Sequence, residues 1–225
     1  MLPDVVGIDI GGTEIKYGII DSMGVIKTKD SIPTEPQRGG QALMDKVKGI
    51  IHDYRHIYPD IVGIGISSAG QIEPESGSVW FATDNLPGWT GMPVKGILED
   101  TFKLPCYVAN DVNAAALGEL WKGAAKNSVN LVMITLGTGI GGAIVKNGEI
   151  LYGANGGAGE FGHIKLYKDG YPCTCGLRGC YEQYASTSAL IRLVKEYLQQ
   201  DSSSILSSAD KIDGKSIFEA EKRGD

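Results

Sequence analysis

Val5-Val-Gly-Ile-Asp-Ile-Gly-Gly-Thr-Glu-Ile-Lys-Tyr-Gly-Ile-Ile20 is the stretch of this 225-residue chain that decides its fold. Two apolar runs flank the Gly11-Gly12-Thr13 turn, and this pattern predicts a strand, a glycine turn and a second strand. A tight turn and a third apolar run follow within residues 21–28. The stretch therefore predicts a three-stranded meander.

The same pattern recurs at residues 130–152. An apolar run ends at Thr135, the glycine-rich segment Gly137–Gly142 follows it, and the Asn147-Gly148 pair is a hairpin signal. The glycine segment also fits the dinucleotide pattern G-x-G-x-x-G. A β-type run follows it in place of a helix, however, so a dinucleotide site is not predicted.

Helices and strands alternate around the two meanders. Apolar residues at helical spacing predict a helix over 43–54, and residues 61–67 have the pattern of a buried strand. A duplicated meander with such connections predicts an α/β fold of two lobes, which we place at residues 1–112 and 113–225. The ligand is expected in the cleft between the lobes, where both glycine turns could face it.

The two glycine turns favour a nucleotide phosphate site. Without a Cβ atom, backbone N–H groups can approach phosphate oxygens closely, and a neighbouring threonine hydroxyl adds a donor. Asp9 precedes the first turn and could hold Mg²⁺ directly or through water. The candidate nucleotide-binding residues are Asp9, Gly11, Gly12, Thr13, Thr138 and Gly139.

Three of the four cysteines and one of the three histidines lie within one short segment. The candidate ligands are His163, Cys173, Cys175 and Cys180. One imidazole and three thiolates form the donor set of a closed, tetrahedral structural zinc site, and such clustering in a reduced protein indicates a metal. Glu160 and Glu182 flank the cluster, so a bound metal would fix these two carboxylates relative to one another.

Asp111 allows two interpretations. Residues 106–109 predict a short strand, and an alanine-rich helix follows the Asn110-Asp111 pair. Either residue can cap that helix by accepting from its free N–H groups. Asp111 can instead accept a proton from an attacking hydroxyl in phosphoryl transfer, where the rest of catalysis is positioning and charge stabilisation.

Composition limits the partners and the compartment. The net charge of −6 opposes binding to nucleic acid, whose affinity depends on Lys and Arg. No apolar run approaches bilayer length, and no signal peptide is visible, so we expect no membrane partner. A chelating thiol cluster fits a reducing cytoplasm.

Six motifs, in register along residues 5–190, together resemble the ROK family of bacterial sugar kinases and sugar-responsive repressors. They are Asp9-Ile-Gly-Gly-Thr13, Asn85-Leu-Pro-Gly-Trp89, Asn110-Asp111, Leu136-Gly-Thr-Gly-Ile-Gly-Gly142, Glu160-Phe-Gly-His163 and Cys173-Thr-Cys-Gly-Leu-Arg-Gly-Cys-Tyr-Glu182. The resemblance implies an actin-like, ribonuclease H-like fold of two lobes, ATP and Mg²⁺ as cofactors, and a homodimer. It also implies ATP-dependent phosphorylation of a hexose at its primary (6-) hydroxyl, with glucose or N-acetylmannosamine as the substrate.

The resemblance also assigns roles to residues. Asp111 is implied as the catalytic base, and the glycine turns as the holders of the ATP phosphates. The residues implied to bind the sugar are Asn85, Asn110, Asp111, Glu160, His163 and Glu182. His163 would then serve both zinc and sugar.

Alternatives to a complete hexose kinase stay open. Repressors of the family carry a helix-turn-helix segment ahead of the kinase-like part, and a glycine turn at residue 11 leaves no room for one. Kinases of the family continue with a segment that contacts adenosine, whereas this chain stops at Asp225, so we expect sugar binding with poor turnover from the chain as given. Ala69 stands where many glucose-specific relatives have a proline-glycine turn, which leaves β-glucosides and amino sugars open as substrates. Fructose is a further alternative.

Overall fold

The computed structural model describes residues 3–201 and 203–225. The strands within them are β1 (Asp4–Ile10), β2 (Glu14–Asp21), β3 (Ile26–Pro33), β4 (Ile61–Ser68), β5 (Gln71–Ile72), β6 (Val79–Phe81), β7 (Cys106–Asn110), β8 (Leu131–Leu136), β9 (Ile140–Lys146) and β10 (Glu149–Ile150). The α-helices are α1 (Gly39–Ile57), α2 (Val94–Phe102), α3 (Asp111–Trp121), α4 (Glu182–Ala185), α5 (Thr187–Leu198) and α6 (Gly214–Lys222). Among these helices, none is long and apolar enough to cross a bilayer.

The first compact unit runs to Leu131 and includes Ile144–Ala158. Its five-stranded sheet has the order β3-β2-β1-β4-β7. Strands β1, β2 and β3 pair antiparallel, whereas β4 is parallel to both β1 and β7. The meander that the sequence predicts around the first glycine turn is therefore present.

One face of this sheet carries the core of the first unit. The apolar stripe of α1 is buried there through Leu43, Val47 and Ile51, and fully burying such a side chain stabilises a fold by about 1.5–3 kcal/mol. Trp89 is also 0% exposed, and its Nε1 donates to Ser68 Oγ over 3.0 Å. The loop that carries Asn85 is therefore anchored to the end of β4 by its tryptophan.

An apolar groove of about 750 Å³ lies on the other face of the sheet. Its floor is a row of glycines on three adjacent strands, since Gly7 pairs with both Gly18 and Gly65. Tyr107, which is 79% exposed, and Trp121 of α3 line its sides. Polar side chains of β1, β2 and β4 also line the groove, and they belong to the site described below.

The second compact unit comprises Val132–Ala143 and Gly159–Asp225. Thr187 at the start of α5 donates its N–H to the Gly137 carbonyl over 2.9 Å, which ties that helix to the second glycine turn. A separate three-stranded sheet has the order β10-β9-β8, and its β10 and the end of β9 fall within the Ile144–Ala158 segment counted with the first unit. The hairpin expected at Asn147-Gly148 is confirmed, because β9 and β10 pair antiparallel around two residues with positive φ.

The predicted lobe boundary between residues 112 and 113 stays a prediction. The compact units are groups of packed elements, and they need not coincide with the lobes of a kinase. In the structure, α3 follows directly from β7 and belongs to the first unit, so this unit extends beyond residue 112.

Candidate functional site

The first glycine turn is fixed by a threonine that sequence reasoning missed. The Thr34 hydroxyl donates to the Gly11 carbonyl over 2.7 Å, and its N–H donates to the Thr13 carbonyl over 2.9 Å. Thr34 is only 1% exposed, so these hydrogen bonds are shielded from water. No local signal could have identified it, because the contact depends on how β3 pairs with β2.

The glycine at position 12 is not required by the fold. A Cβ atom placed there would meet nothing within 4 Å, and its φ lies outside the left-handed region. The same is true of Gly137 in the second turn. One physical use of a glycine at such a position is to let a ligand approach the backbone closely.

Asp9 is held in place at the end of β1. Ser67 Oγ donates to Asp9 Oδ1 over 2.7 Å, across the parallel β1–β4 pair. Asp9 and the Gly11–Thr13 turn line one polar cavity of about 640 Å³. A half-buried carboxylate beside a phosphate-type turn offers the oxygen ligand that Mg²⁺ prefers, so Asp9 fits the metal role expected of it.

Asn110, and not Asp111, is the main cap of α3. Its Oδ1 accepts from the N–H groups of Val112 and Asn113 over 3.0 and 3.2 Å, and its Nδ2 donates to the Gly70 carbonyl over 2.9 Å. Asp111 is the first residue of the helix, and its Oδ1 accepts from Val112 over 2.9 Å. Its second carboxylate oxygen is therefore not needed for capping.

The surroundings of Asp111 favour a proton acceptor. Asp111 is an exposed residue, but the protein around its carboxyl partly desolvates this group and raises its pKa. The Val112 N–H opposes this shift, and the negative charge of Asp9 raises the pKa further. A carboxylate with a raised pKa is a stronger base. Asp9, Asn110 and Asp111 thus occur together in the first unit, while Asn85 lies in an exposed turn of the same unit.

The second unit places Glu182 beside the second glycine turn. A Cβ atom at Gly139 would lie 2.6 Å from Glu182 Oε2. The other carboxylate oxygen, Glu182 Oε1, lies 3.0 Å from Cys173 Sγ, so Glu182 also adjoins the cysteine cluster. Thr138 is exposed in the turn, where its hydroxyl is open to a ligand.

The four predicted metal ligands lie together in this unit. The ligand atoms of His163, Cys173, Cys175 and Cys180 are all within 4.8 Å of one another. Cys173 Sγ is 3.6 Å from His163 Nδ1, and the sulfurs of Cys175 and Cys180 are 3.7 Å apart. Burial raises the pKa of the Cys173 thiol to about 12.

Two of the six separations between the ligand atoms have the values expected for zinc. Two thiolates bound at about 2.3 Å, at the tetrahedral angle, lie about 3.8 Å apart, and a thiolate and an imidazole nitrogen lie about 3.6 Å apart. The two distances above match these values. Three sulfurs and one imidazole nitrogen are also the donor set of structural zinc sites, so this cluster could hold Zn²⁺.

His163 faces a carboxylate on each side. Its Nδ1 is directed toward the cysteines and lies 3.9 Å from Glu182 Oε1, and its Nε2 lies 3.8 Å from Glu160 Oε2. Ligation through Nδ1 leaves Nε2 available beside Glu160. The three side chains expected to bind sugar in this unit are therefore neighbours of one another and of the metal cluster.

Comparisons with known proteins agree with these features. The glucokinase of Halalkalibacterium halodurans is 43% identical over 196 residues, which are 85% of this chain and 59% of that protein. A ROK family glucokinase from Streptomyces griseus, solved in complex with glucose and AMPPNP, has a TM-score of 0.82 at 36% identity, covering 99% of this chain and 72% of that one. A ROK family transcriptional regulator, a homologue of the E. coli MLC protein, has a TM-score of 0.86 at 25% identity, covering 99% of this chain and 56% of that one.

The chain thus spans 59% of the length of the H. halodurans glucokinase. The family model described as ROK family matches residues 5–225. The expected fold, the actin-like α/β fold of ROK sugar kinases, is confirmed by the solved structures. The resemblance carried by the six motifs is confirmed as well, and the chain belongs to the ROK family.

Proposed function

We propose that the protein is an ATP-dependent sugar kinase that phosphorylates a hexose at its primary (6-) hydroxyl. The observation that carries this proposal is that Asn110 and Asp111 have different roles at the start of α3. Asn110 caps the helix, and Asp111 is left with a free carboxylate oxygen, a raised pKa and Asp9 as a charged neighbour.

The proposed reaction uses these groups in turn. The sugar hydroxyl oxygen attacks the γ-phosphorus of ATP, the bond to the β-phosphate bridging oxygen breaks, and ADP leaves. The hydroxyl proton passes to the Asp111 carboxylate. Asp9 would hold Mg²⁺, which neutralises phosphate charge when bound. Each glycine turn offers backbone N–H groups that are suited to phosphate oxygens.

The residues that the family resemblance assigns to the sugar carry amide, carboxylate and imidazole groups, which can form hydrogen bonds with sugar hydroxyls. They are Asn85, Asn110, Glu160, His163 and Glu182. Structural Zn²⁺ at His163 and the three cysteines would keep Glu160 and Glu182 in position. A homodimer and a cytoplasmic location stay predictions.

Glucose is the first substrate that we propose, and N-acetylmannosamine is the second. Glucose is supported by the glucokinase names of the relatives in H. halodurans and Streptomyces. Ala69 keeps β-glucosides and amino sugars among the competitors, because many glucose-specific relatives have a proline-glycine turn there, and fructose is a further alternative.

A second candidate is a sugar-binding regulator without kinase activity. The specific observation in its favour is the TM-score of 0.86 with a ROK family transcriptional regulator. Both candidates require sugar binding, but only a kinase requires Asp111 to act as a base.

The experiment is a coupled ADP-release screen of the full-length protein. The panel comprises glucose, mannose, fructose, N-acetylmannosamine, N-acetylglucosamine and cellobiose, and each sugar is also tested for binding by calorimetry. A kinase releases ADP with at least one sugar, and glucose is expected to give the highest kcat/KM. A protein that binds a sugar tightly and releases no ADP with any of them fits the regulator.

A further inference from the structure

We propose that Lys16 is the cation that binds the nucleotide phosphates at the first glycine turn. This inference rests on the proposed function and deepens it, because it adds a side chain that no motif of the sequence singled out. Four observations support it: the place of Lys16 in the sheet, the cavity that it lines, the charge of that cavity and the freedom of its ammonium group.

Lys16 lies on β2, directly opposite Asp9 of β1 in the antiparallel pair. Directly opposed residues of such a pair point to the same face of the sheet, with Cβ atoms about 4.5–5.5 Å apart. Asp9 is also the residue that Ser67 orients toward β4. Lys16 is therefore placed beside the carboxylate expected to hold Mg²⁺, three residues after Thr13.

The cavity places Lys16 with the glycine turn. Asp9, Lys16 and the Gly11–Thr13 turn line the same polar cavity of about 640 Å³. Asp9 and Lys16 also line the apolar groove on the sheet face, so they stand where the polar cavity meets the groove. A lysine side chain can lay its methylene groups along apolar surface while its charged end stays in the polar part.

The lining of this cavity contains more negative than positive side chains. Asp9 and Glu14 contribute two carboxylates to its lining, and Lys16 is the single basic side chain that lines it. A triphosphate brings several more negative charges. Backbone N–H groups contribute only partial positive charge, so a full positive charge near the turn would strengthen phosphate binding. A compact ammonium is suited to phosphate as a point charge.

The ammonium of Lys16 is also free to act. Within residues 3–201 and 203–225, no carboxylate oxygen lies within 4.0 Å of Lys16 Nζ, and its side chain is exposed. Two other lysines of the first unit are engaged in ion pairs: Lys27 Nζ lies 2.6 Å from Asp4 Oδ1, and Lys46 Nζ lies 2.6 Å from Glu35 Oε2. Lys16 therefore need not break an ion pair to meet a phosphate.

The test compares Lys16→Met, Lys16→Gln and Lys16→Arg with the control Lys29→Met. Lys29 is an exposed lysine of the same sheet that pairs with Gly18, and it lines the groove but not the polar cavity. Calorimetry of the full-length protein measures the Kd for MgATP, for inorganic tripolyphosphate and for glucose. Coupled ADP release then measures KM for ATP.

We expect Lys16→Met and Lys16→Gln to weaken MgATP and tripolyphosphate binding by about tenfold or more, as the loss of a charge-assisted hydrogen bond predicts. Lys16→Arg should retain most of the affinity, and glucose binding and melting temperature should not change. Lys29→Met should match the wild type in every measurement.

Three results would overturn the inference. They are equal MgATP affinity in Lys16→Gln and the wild type, a parallel loss of glucose binding in both neutral variants, and a wild-type protein that binds neither MgATP nor tripolyphosphate. Failure of the proposed function is a separate result. A protein whose MgATP affinity depends on Lys16, but which phosphorylates no sugar, supports the phosphate site and contradicts the kinase.

Discussion

Gly12→Ala should separate the fold from nucleotide binding. No atom lies within 4 Å of the added Cβ, and the backbone of Gly12 is outside the left-handed region. Alanine at such a position restricts the unfolded chain and stabilises a protein by about 0.4–1 kcal/mol. The melting temperature should therefore stay equal or rise.

The same methyl group should interfere with phosphate. It fills the open space beside the Gly12 backbone, where we expect the phosphate to bind, so the phosphate would be displaced. A displacement of the reacting group by about 1 Å can lower the rate on the order of a hundredfold. We expect kcat/KM for ATP to fall by about that factor, with glucose affinity unchanged. Thermal melting, calorimetry and coupled ADP release, made on one preparation, give these values.

Two control variants show what a tolerated and a disruptive glycine-to-alanine change do to stability and kinetics. Gly96 lies on the exposed side of α2, and a Cβ there would meet nothing within 4 Å. Because alanine favours a helix more than glycine does, Gly96→Ala should raise stability and leave the kinetics unchanged. Gly18→Ala brings a Cβ to 2.1 Å from the Thr28 carbonyl oxygen, so it should lower stability by about 1–3 kcal/mol. If Gly12→Ala keeps full ATP kinetics, the open space at Gly12 has no connection with phosphate and the reasoning is refuted.

Other variants address the remaining parts of the site. Asp111→Asn should abolish turnover, while melting temperature and sugar affinity change little. Asn110→Ala should instead lower the free energy of unfolding by about 1 kcal/mol, because Asn110 is the cap of α3. Retained turnover in Asp111→Asn would show that the carboxylate is not the base. Asp111 must be ionised to accept a proton, and its pKa is raised above the ordinary aspartate pKa of about 3.9. We therefore expect kcat/KM to fall, as the pH is lowered, at a pH above about 3.9. A kcat/KM that stays constant down to that pH would contradict the assignment. Cys175→Ser should lose bound zinc by elemental analysis together with sugar affinity, because ligation is coupled to folding of the loop; a zinc-free protein with normal sugar affinity would exclude this role.

The sequence predicted the features that depend on neighbouring residues. The first meander follows from apolar runs around Gly11-Gly12, and the hairpin follows from Asn147-Gly148, because asparagine and glycine readily adopt positive φ. The cysteine cluster was predictable because all four ligands lie within one short segment, and the structure places their donor atoms together.

Features that depend on sheet register could not be predicted. Ser67 reaches Asp9, and Thr34 reaches Gly11, across strand pairs that no local pattern specifies. The choice between Asn110 and Asp111 as the cap depends on a carbonyl of Gly70, 40 positions away, that orients the asparagine side chain. The groove on the other sheet face could not be predicted either, because its row of glycines forms only when β1, β2 and β4 pair in this register.

The most direct test of the kinase proposal is phosphorus NMR of the full-length protein incubated with glucose and MgATP. We predict signals of ADP and of glucose 6-phosphate that grow together, and no sugar phosphate with Asp111→Asn. The proposal is contradicted if neither glucose nor any other sugar of the panel is phosphorylated, or if Asp111→Asn forms the product as fast as the wild type.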